Sequence, residues 1–188
     1  MTNTVSMRGL TLVELLVAMA VAAIGLAIAI PSFGALSRKA RLSDASSDLA
    51  ASLNYARSEA IRRNQAVHVC ALNAKTNLDV QGCLSLKTTP QEYSWNEGVL
   101  LYADRPDKAK PGVYESGERI RHVQFKAAVA VSTTSPQLTF NAEGRVDGGQ
   151  TLLFRLRDLH SDKCLTVRLS AGGRARLLDP EENNCDAS

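Results

Sequence analysis

An apolar run near the N-terminus restricts what this chain can form more than any other feature. Residues 10–30 contain only two polar side chains, Thr11 and Glu14. As a helix that rises about 1.5 Å per residue, this run is roughly 32 Å long, which is enough to cross a bilayer core of about 30 Å. The sequence therefore predicts one membrane-spanning helix at residues 10–30.

The residues on either side of this run argue against a secretory signal peptide. Arg8 and Gly9 precede it, and no Ala-x-Ala cleavage site follows it, whereas a signal peptide has a shorter apolar stretch and a small-residue site after it. Basic residues lie on both sides of the run: Arg8 before it, and Arg38, Lys39 and Arg41 after it. The positive-inside rule therefore leaves the orientation of the helix in the membrane open.

Glu14 is the second unusual feature of the run. A carboxylate within a membrane helix costs a few kcal/mol on insertion scales and marks a functional site by default. We therefore expect Glu14 to have a partner. The alternative is a simple single-pass anchor in which Glu14 is tolerated near one membrane interface.

The segment resembles the class III signal of type IV prepilins and type II secretion pseudopilins in its run Arg8-Gly9-Leu10-Thr11-Leu12-Val13-Glu14-Leu15. The resemblance implies that a prepilin peptidase cuts between Gly9 and Leu10 and methylates the new N-terminus at Leu10. It also implies that Pro31 is the helix-kinking proline of this family. This chain departs from the family in having Leu10 where phenylalanine is usual.

In an assembled filament, the buried carboxylate of Glu14 can meet the amine of Leu10 on a neighbouring subunit, so that charge pairing favours assembly. The predicted organisation is a cleaved leader at residues 1–9, a transmembrane half-helix at 10–30, an amphipathic half-helix at 31–64 and a β-rich domain at 65–188. The expected partners are the prepilin peptidase, other major and minor pilins or pseudopilins, and the inner membrane.

The four cysteines all lie beyond the apolar run. An even number of cysteines is typical of a disulfide-bonded domain in an oxidising compartment. Their spacing favours the pairs Cys70–Cys83 and Cys164–Cys185, each of which contributes roughly 3 kcal/mol in the chain-entropy model. A zinc site is the competing interpretation. However, the chain has no Cys-x-x-Cys pair and its three histidines are scattered: His68, His122 and His160.

Hydrophobic periodicity predicts an α+β fold. Apolar residues recur at helical spacing up to Asn64, which can end the helix in the left-handed conformation; they are Leu42, Ala45, Leu49, Ala56 and Ala60. Pro31 should bend the helix. Short runs rich in branched and aromatic residues then predict antiparallel strands, at 66–71, 98–102, 119–125, 137–140, 151–156, 164–169 and 174–178. The predicted architecture is one long helix packed on a C-terminal antiparallel β-sheet domain.

The β-rich part resembles the GspH/FimT/FimU group of minor pilins in several short segments, among them Trp95-Asn96-Glu97-Gly98, the run from Leu138 to Val146, and Gly173-Arg174-Ala175-Arg176. Trp95 and Phe140 are also expected core residues. The resemblance implies a minor pilin that is incorporated into a type IV pilus or primes it, and that supports pilus biogenesis, twitching motility or DNA uptake. A GspH-type pseudopilin of a type II secretion system is the alternative.

A basic region near the C-terminus raises a second hypothesis. Six basic residues lie between positions 155 and 178, against Asp158 and Asp162, and such a stripe could hold a DNA backbone without reading sequence. Some FimT-like pilins bind DNA in natural transformation through a Gly-Arg-x-Arg motif, which by resemblance points to Arg174 and Arg176, with Arg168 beside them. The alternative is a solvated strand face that pairs with acidic residues of the tail: Asp179, Glu181, Glu182 and Asp186.

Nothing in the sequence supports catalysis, a cofactor or a resident metal. The histidines lack a nearby serine, cysteine and acid in a recognised arrangement, and the glycine pairs Gly148-Gly149 and Gly172-Gly173 lack the lysine and following helix of a phosphate-binding loop. We therefore expect a protein that acts by polymerisation and contact.

Overall fold

The computed structural model describes residues 11–74, 82–126, 128–161 and 163–178. The fold is α+β, as the sequence predicts, with one long helix followed by antiparallel strands. The chain divides into two compact units, Met1–Lys39 and Ala40–Ser188. The first unit contains the N-terminal part of the helix, and the second contains the remainder of the helix and every described strand.

Helix α1 (Leu12–Arg63) includes the position of Pro31, where the predicted bend stays a prediction. Many apolar side chains of its first turns are exposed, including Leu12 at 75% and Ile24 at 65%. In the part of the chain that the structure describes, no helix has the length and apolarity that crossing a membrane requires.

The helix ends where the sequence predicts, at a residue in the left-handed conformation. Asn64 has a φ of 52°. Its N–H donates to the carbonyl of Ile61 at 3.2 Å, and the N–H of Gln65 donates to that of Ala60, also at 3.2 Å. These two bonds form a Schellman motif, which satisfies carbonyls that the end of a helix otherwise leaves unpaired.

Between Leu42 and Ala60 one face of α1 is buried in the hydrophobic core. Every apolar residue expected on that face is at most 4% exposed, and so is Leu53. Their spacing of three and four residues places them on one stripe, so the helix has one apolar face between Leu42 and Ala60.

The described strands follow the helix in chain order. They are β1 (Val67–Asn73), β2 (Gly82–Cys83), β3 (Lys87–Thr89), β4 (Glu92–Ser94), β5 (Gly98–Tyr102), β6 (Arg119–Gln124), β7 (Val129–Thr133), β8 (Gln137–Phe140), β9 (Leu152–Asp158), β10 (Cys164–Leu169) and β11 (Ala175–Leu177). A 3₁₀ turn at Asp147–Gly149 lies between β8 and β9.

The strands form two sheets. The first has the order β2-β1-β5-β6, and β8 also pairs with β1. Because β1 pairs with β5 and β8 over nearly the same residues, it is flanked on both sides. The second sheet has the order β11-β10-β9-β7-β4-β3, and all its pairs are antiparallel.

The sequence predicts antiparallel strands without dividing them between sheets, and the structure divides them into two. The missing strand is chiefly β7, which joins β9 to β4 and so extends the second sheet. Val129, Val131 and Thr133 of β7 are buried and alternate with half-buried Ala130 and Ser132. The sequence contains this period of two and the strand-favouring residues Val129, Val131 and Thr133, but the run is short and the residues between them, Ala130 and Ser132, are weak strand formers.

The core joins residues of both sheets to the helix. Trp95 and Phe140 are fully buried, as expected, and Trp95 meets Phe154 edge to face with ring centroids 5.2 Å apart. The indole N–H of Trp95 donates to the carbonyl of Ser135 at 2.9 Å, so this large aromatic is buried without an unsatisfied donor.

Candidate functional site

The Gly-Arg-x-Arg motif lies on the hairpin between β10 and β11, as the sequence predicts for a turn at Gly172-Gly173. The Ser170 N–H donates to the Arg174 carbonyl at 3.0 Å, and the Gly173 N–H donates to the Ser170 carbonyl at 2.8 Å. The Arg174 N–H also donates to Ser170 Oγ at 3.2 Å. The turn is thus closed by its own main chain and by one hydroxyl.

The glycine of the motif is required by packing. Gly173 has a φ of +81°, and a Cβ placed there would lie 2.0 Å from the carbonyl oxygen of Gly144 and 3.2 Å from Cδ of Arg57. Any side chain at this position would therefore push the hairpin away from the turn that contains Gly144. The first residue of the motif has a structural role that is independent of any ligand.

The three arginines named from the sequence converge on one surface. Arg168 of β10 and Arg176 of β11 are directly opposite each other in the register, and Arg174 lies two residues before Arg176, on the same side. All three are exposed. Together with Ser170 they line a groove of about 260 Å³, here called the arginine groove.

The electrostatics of this groove favour an anion. Among the described residues, neither Arg168 nor Arg174 has a carboxylate within ion-pair distance. Arg168 also lines a second depression of about 330 Å³ with Thr151, Leu153 and Leu178. Because guanidinium groups form forked hydrogen bonds with phosphate, this surface can hold a polyanion.

Arg155 and Lys163 are not among the described residues that line the groove. Arg155 of β9 forms an ion pair with Glu92 of β4, and Lys163 is exposed just before β10. The acidic tail expected near this surface lies outside the described residues, so the pairing alternative stays open for Asp179, Glu181, Glu182 and Asp186.

The start of α1 forms a second candidate site. The Glu14 N–H donates to Thr11 Oγ1 at 3.2 Å, while Thr11 N and Oγ1 each donate to Glu14 Oε2 at 3.3 Å. This reciprocal arrangement is a capping box, which the Thr-x-x-Glu spacing could have predicted. Gly9 and Leu10, the expected cleavage and methylation site, lie outside the described residues.

The first expected disulfide is present in the structure. Cys70 of β1 and Cys83 of β2 are joined, across a loop whose residues 75–81 are outside the described ranges. Cys164 at the start of β10 is also disulfide-bonded, but Cys185, its expected partner, lies outside the described residues. That second pairing stays a prediction.

One histidine belongs to a buried polar cluster. His68 stacks on Tyr102 with ring centroids 4.9 Å apart, and its Nδ1 is 2.9 Å from Thr139 Oγ1. Its Nε2 lies 3.4 Å from Asp104 Oδ2. Burial, with the charge of Asp104, raises the pKa of the Tyr102 phenol above its ordinary range. The cluster joins side chains of β1, β5 and β8 within the first sheet. The described residues contain no group of three potential metal ligands.

Two models of known protein families together match most of the described chain. The family described as type II transport protein GspH matches residues 45–173. The prokaryotic N-terminal methylation motif matches residues 6–30. No curated protein matches the chain.

Solved structures of minor pilins are similar in fold. The type IV minor pilin FimU of Pseudomonas aeruginosa (strain PAO1) shows 19% identity, covers 80% of this chain and 97% of its own, and gives a TM-score of 0.57. A second crystal form of FimU gives 0.55, with 77% of this chain and 98% of that chain covered at the same identity. The minor pseudopilin EpsH of the Vibrio cholerae type 2 secretion system gives 0.47 at 14% identity, with 76% and 99% covered.

The GspH match contains two of the segments named from the sequence, Trp95-Asn96-Glu97-Gly98 and the run from Leu138 to Val146, and it ends at Gly173, the first residue of the third. The GspH family covers most of the β-rich unit, and the methylation motif covers the start of α1. The chain therefore belongs to the GspH family of the type IV pilin superfamily.

Proposed function

We propose that this chain is a minor pilin that is incorporated into a type IV pilus or primes its assembly. It is made as a precursor, cut between Gly9 and Leu10 by a prepilin peptidase, and methylated at Leu10. Residues 10–30 hold it in the inner membrane as a single pass, and residues 65–188 lie on the periplasmic side. The match of residues 6–30 to the methylation motif supports this processing.

The exposed apolar surface at the start of α1 is the observation that carries the proposal. Eight large apolar side chains between Leu12 and Ile24 are each at least 50% exposed. A contiguous exposed apolar surface of this kind marks an interaction site. Lipid covers it in the membrane, and the helices of other pilins cover it in the filament.

Glu14 adds an electrostatic argument for assembly. The capping box provides hydrogen bonds to the carboxylate, but no basic residue among those described lies within ion-pair distance of it. A bare charge in an apolar surrounding is costly. The amine of Leu10 on a neighbouring subunit supplies the missing positive charge, so that pairing is gained only on assembly.

Three substitutions separate charge pairing from helix capping. Glu14→Gln keeps a capping side chain, since glutamine also occupies this position of a capping box, but removes the charge. Thr11→Ala disrupts the box and keeps the charge, while Glu14→Ala removes both. Charge pairing predicts that both Glu14 variants are inserted in the membrane but fail to enter sheared pilus fractions, whereas Thr11→Ala enters them. Assembly of Glu14→Gln at the parent level would overturn the pairing role.

A type II secretion pseudopilus is the alternative filament, and it requires the same helix surface. Purification of the chain from its own cells with its cross-linked neighbours separates the two. Pilus subunits among the neighbours support the proposal, and secretion-system pseudopilins alone would replace it.

The arginine groove favours a second candidate function, the binding of double-stranded DNA during natural transformation. Arg168, Arg174 and Arg176 are exposed around one groove, and phosphate contacts of this kind bind DNA regardless of sequence. The acidic tail is the opposing consideration, because its negative charges would repel DNA if they lay close by.

The DNA hypothesis is tested with the full chain in a non-ionic detergent and a mixed-sequence duplex. We expect binding at low salt and its loss in Arg174→Gln/Arg176→Gln, with the slope of log affinity against log salt reduced by about 2. The matched control is Arg105→Gln/Lys110→Gln, which removes the same charge from an exposed loop. Equal binding by the parent and the groove variant would refute this function and leave the pilin assignment intact.

A further inference from the structure

We propose that Asn54 of α1 is the positioning residue for the arginine groove, an inference that rests on the second candidate function. The side-chain amide of Asn54 pairs with the main chain of Ala175 in both directions. Its Nδ2 donates to the Ala175 carbonyl at 3.0 Å, and its Oδ1 accepts from the Ala175 N–H at 3.1 Å. Ala175 is the residue between the two arginines of the motif.

Strand β11 needs such support because it is short and lies at the edge of its sheet. It has three residues and, among the described strands, pairs with β10 alone. A primary amide offers a donor and an acceptor on one planar group, as a peptide unit does. Asn54 thus supplies the hydrogen bonds that a further strand would give to Ala175, and an unpaired edge is held in place.

Fixing Ala175 determines where its neighbours point. Ala175 is 6% exposed and belongs to the core. Because successive side chains of a strand alternate between faces, an inward Ala175 places Arg174 and Arg176 outward on the groove side. A strand that frays or twists at this residue would separate the two guanidinium groups.

Arg57, one turn further along the helix, supports the turn of the hairpin through Gly144. Its Nε donates to the carbonyl of Gly144 at 3.1 Å. That same carbonyl lies against Gly173, at 2.0 Å from the point where a Cβ would stand. The helix therefore fixes the hairpin at two points, at the β11 backbone through Asn54 and at the turn through Arg57 and Gly144.

The decisive experiment replaces Asn54 by leucine, which is close in size and cannot pair with Ala175. The full chain in non-ionic detergent is titrated with mixed-sequence duplex DNA at several salt concentrations. We expect affinity to fall about threefold or more and the salt slope to fall by about 1, as for the loss of one phosphate contact. Amide exchange at Ala175 should become faster, because its N–H loses its acceptor.

Two further variants keep the result interpretable. Asn54→Ala removes the same hydrogen bonds with the best helix former, in case leucine prevents folding. Ser58→Ala is the matched control, since the Ser58 hydroxyl is exposed and donates only to Tyr55 of the same helix. We expect Ser58→Ala to bind DNA as the parent does.

The arginine variants separate failure of this inference from failure of the DNA hypothesis. At a salt concentration low enough for the Arg174→Gln/Arg176→Gln variant to keep measurable residual binding, adding Asn54→Leu should not weaken that binding further, since neither motif arginine is left to position; an effect equal to that in the parent would overturn the inference. Parent-like affinity and slope in Asn54→Leu, with binding lost in the arginine variant, would also overturn it and leave DNA binding in place. If the arginine variant binds like the parent, the DNA hypothesis falls and the positioning role falls with it.

Discussion

Glu59 is a buried carboxylate held by two arginines near the end of α1. Its side chain is 7% exposed, and it accepts hydrogen bonds from Arg62 Nη2 at 2.6 Å and Arg63 Nε at 2.7 Å. The hydrogen bond from Arg62, then that from Arg63, lowers the pKa of Glu59 to about 2, against the opposing effect of burial. Since the folded pKa is depressed, its stabilisation is present at neutral pH and is lost as the pH falls from about 4.5 towards 2.

We expect Glu59→Gln to lower the free energy of unfolding at pH 7 by about 1 kcal/mol, a modest value because the arginines are partly exposed. Urea denaturation at pH 7, 4 and 3 should show the difference from the parent shrinking, because below about pH 4.5 the unfolded chain binds a proton at Glu59 while the folded chain still holds it ionised. Asp107→Asn is the control, since Asp107 forms an exposed pair with Arg105 and should have no measurable effect. A difference that is constant over this pH range would contradict the assignment.

Gly173 tests the packing of the hairpin separately from its charge. We expect Gly173→Ala to destabilise the chain by about 2 kcal/mol or more, since a Cβ meets the Gly144 carbonyl at 2.0 Å and φ is positive. Gly172→Ala is a matched control one residue away, because its nearest neighbour is Ser170 Oγ at 3.9 Å. Thermal unfolding compares the two. Equal melting temperatures would show that the hairpin can move away from Gly144 without cost.

Among the elements, the end of α1 depends on one residue that tolerates a left-handed conformation. We expect Asn64→Val to cost about 1–2 kcal/mol, because a β-branched residue is strained at the φ of 52° that Asn64 adopts. Asn64→Gly should be nearly neutral, since glycine is the usual residue of a Schellman motif. Chemical denaturation of both variants checks this, and equal stability would mean that the chain ends the helix differently.

The elements that the sequence predicts correctly are those whose signal is local. The bounds of β5, β8 and β10 agree with the predicted strands, because leucine together with β-branched and aromatic residues makes up most of each strand. The strands β2, β3 and β4 are only two or three residues long, too short for a period to show. Without them and β7, the division into two sheets could not be predicted.

In the arginine groove, too, the residues that could be predicted from the sequence are those close to one another in the chain. Arg168, Arg174 and Arg176 could be named because a hairpin brings nearby residues together. Asn54 could not, since its partner Ala175 is 121 positions away and an exposed helix asparagine looks like any solvated residue. Long-range pairing with the main chain leaves no local mark in a sequence.

For the chain as a whole, processing at the N-terminus decides whether it acts as a pilin. We expect the protein isolated from its own cells to lack residues 1–9 and to carry a methyl group on Leu10. Gly9→Val should retain the full leader, because the peptidase acts after glycine in this family. Ser6→Val, also in the leader, is the control and should be processed normally. Intact mass measurement distinguishes them, and a shortened Gly9→Val chain would refute the cleavage site.

The route from α1 into the first sheet has a mechanical consequence. Helix α1 ends at Arg63 and β1 begins at Val67, and β1 is bonded to β5 on one side and β8 on the other. Tension that reaches the end of the helix is delivered to this doubly bonded strand. Pulling along β1 loads the hydrogen bonds of two ladders in shear at the same time, and does not peel one edge strand away. In the filament proposed above, a subunit under load would thus resist extension at β1, which pairs with more of the described strands than any other.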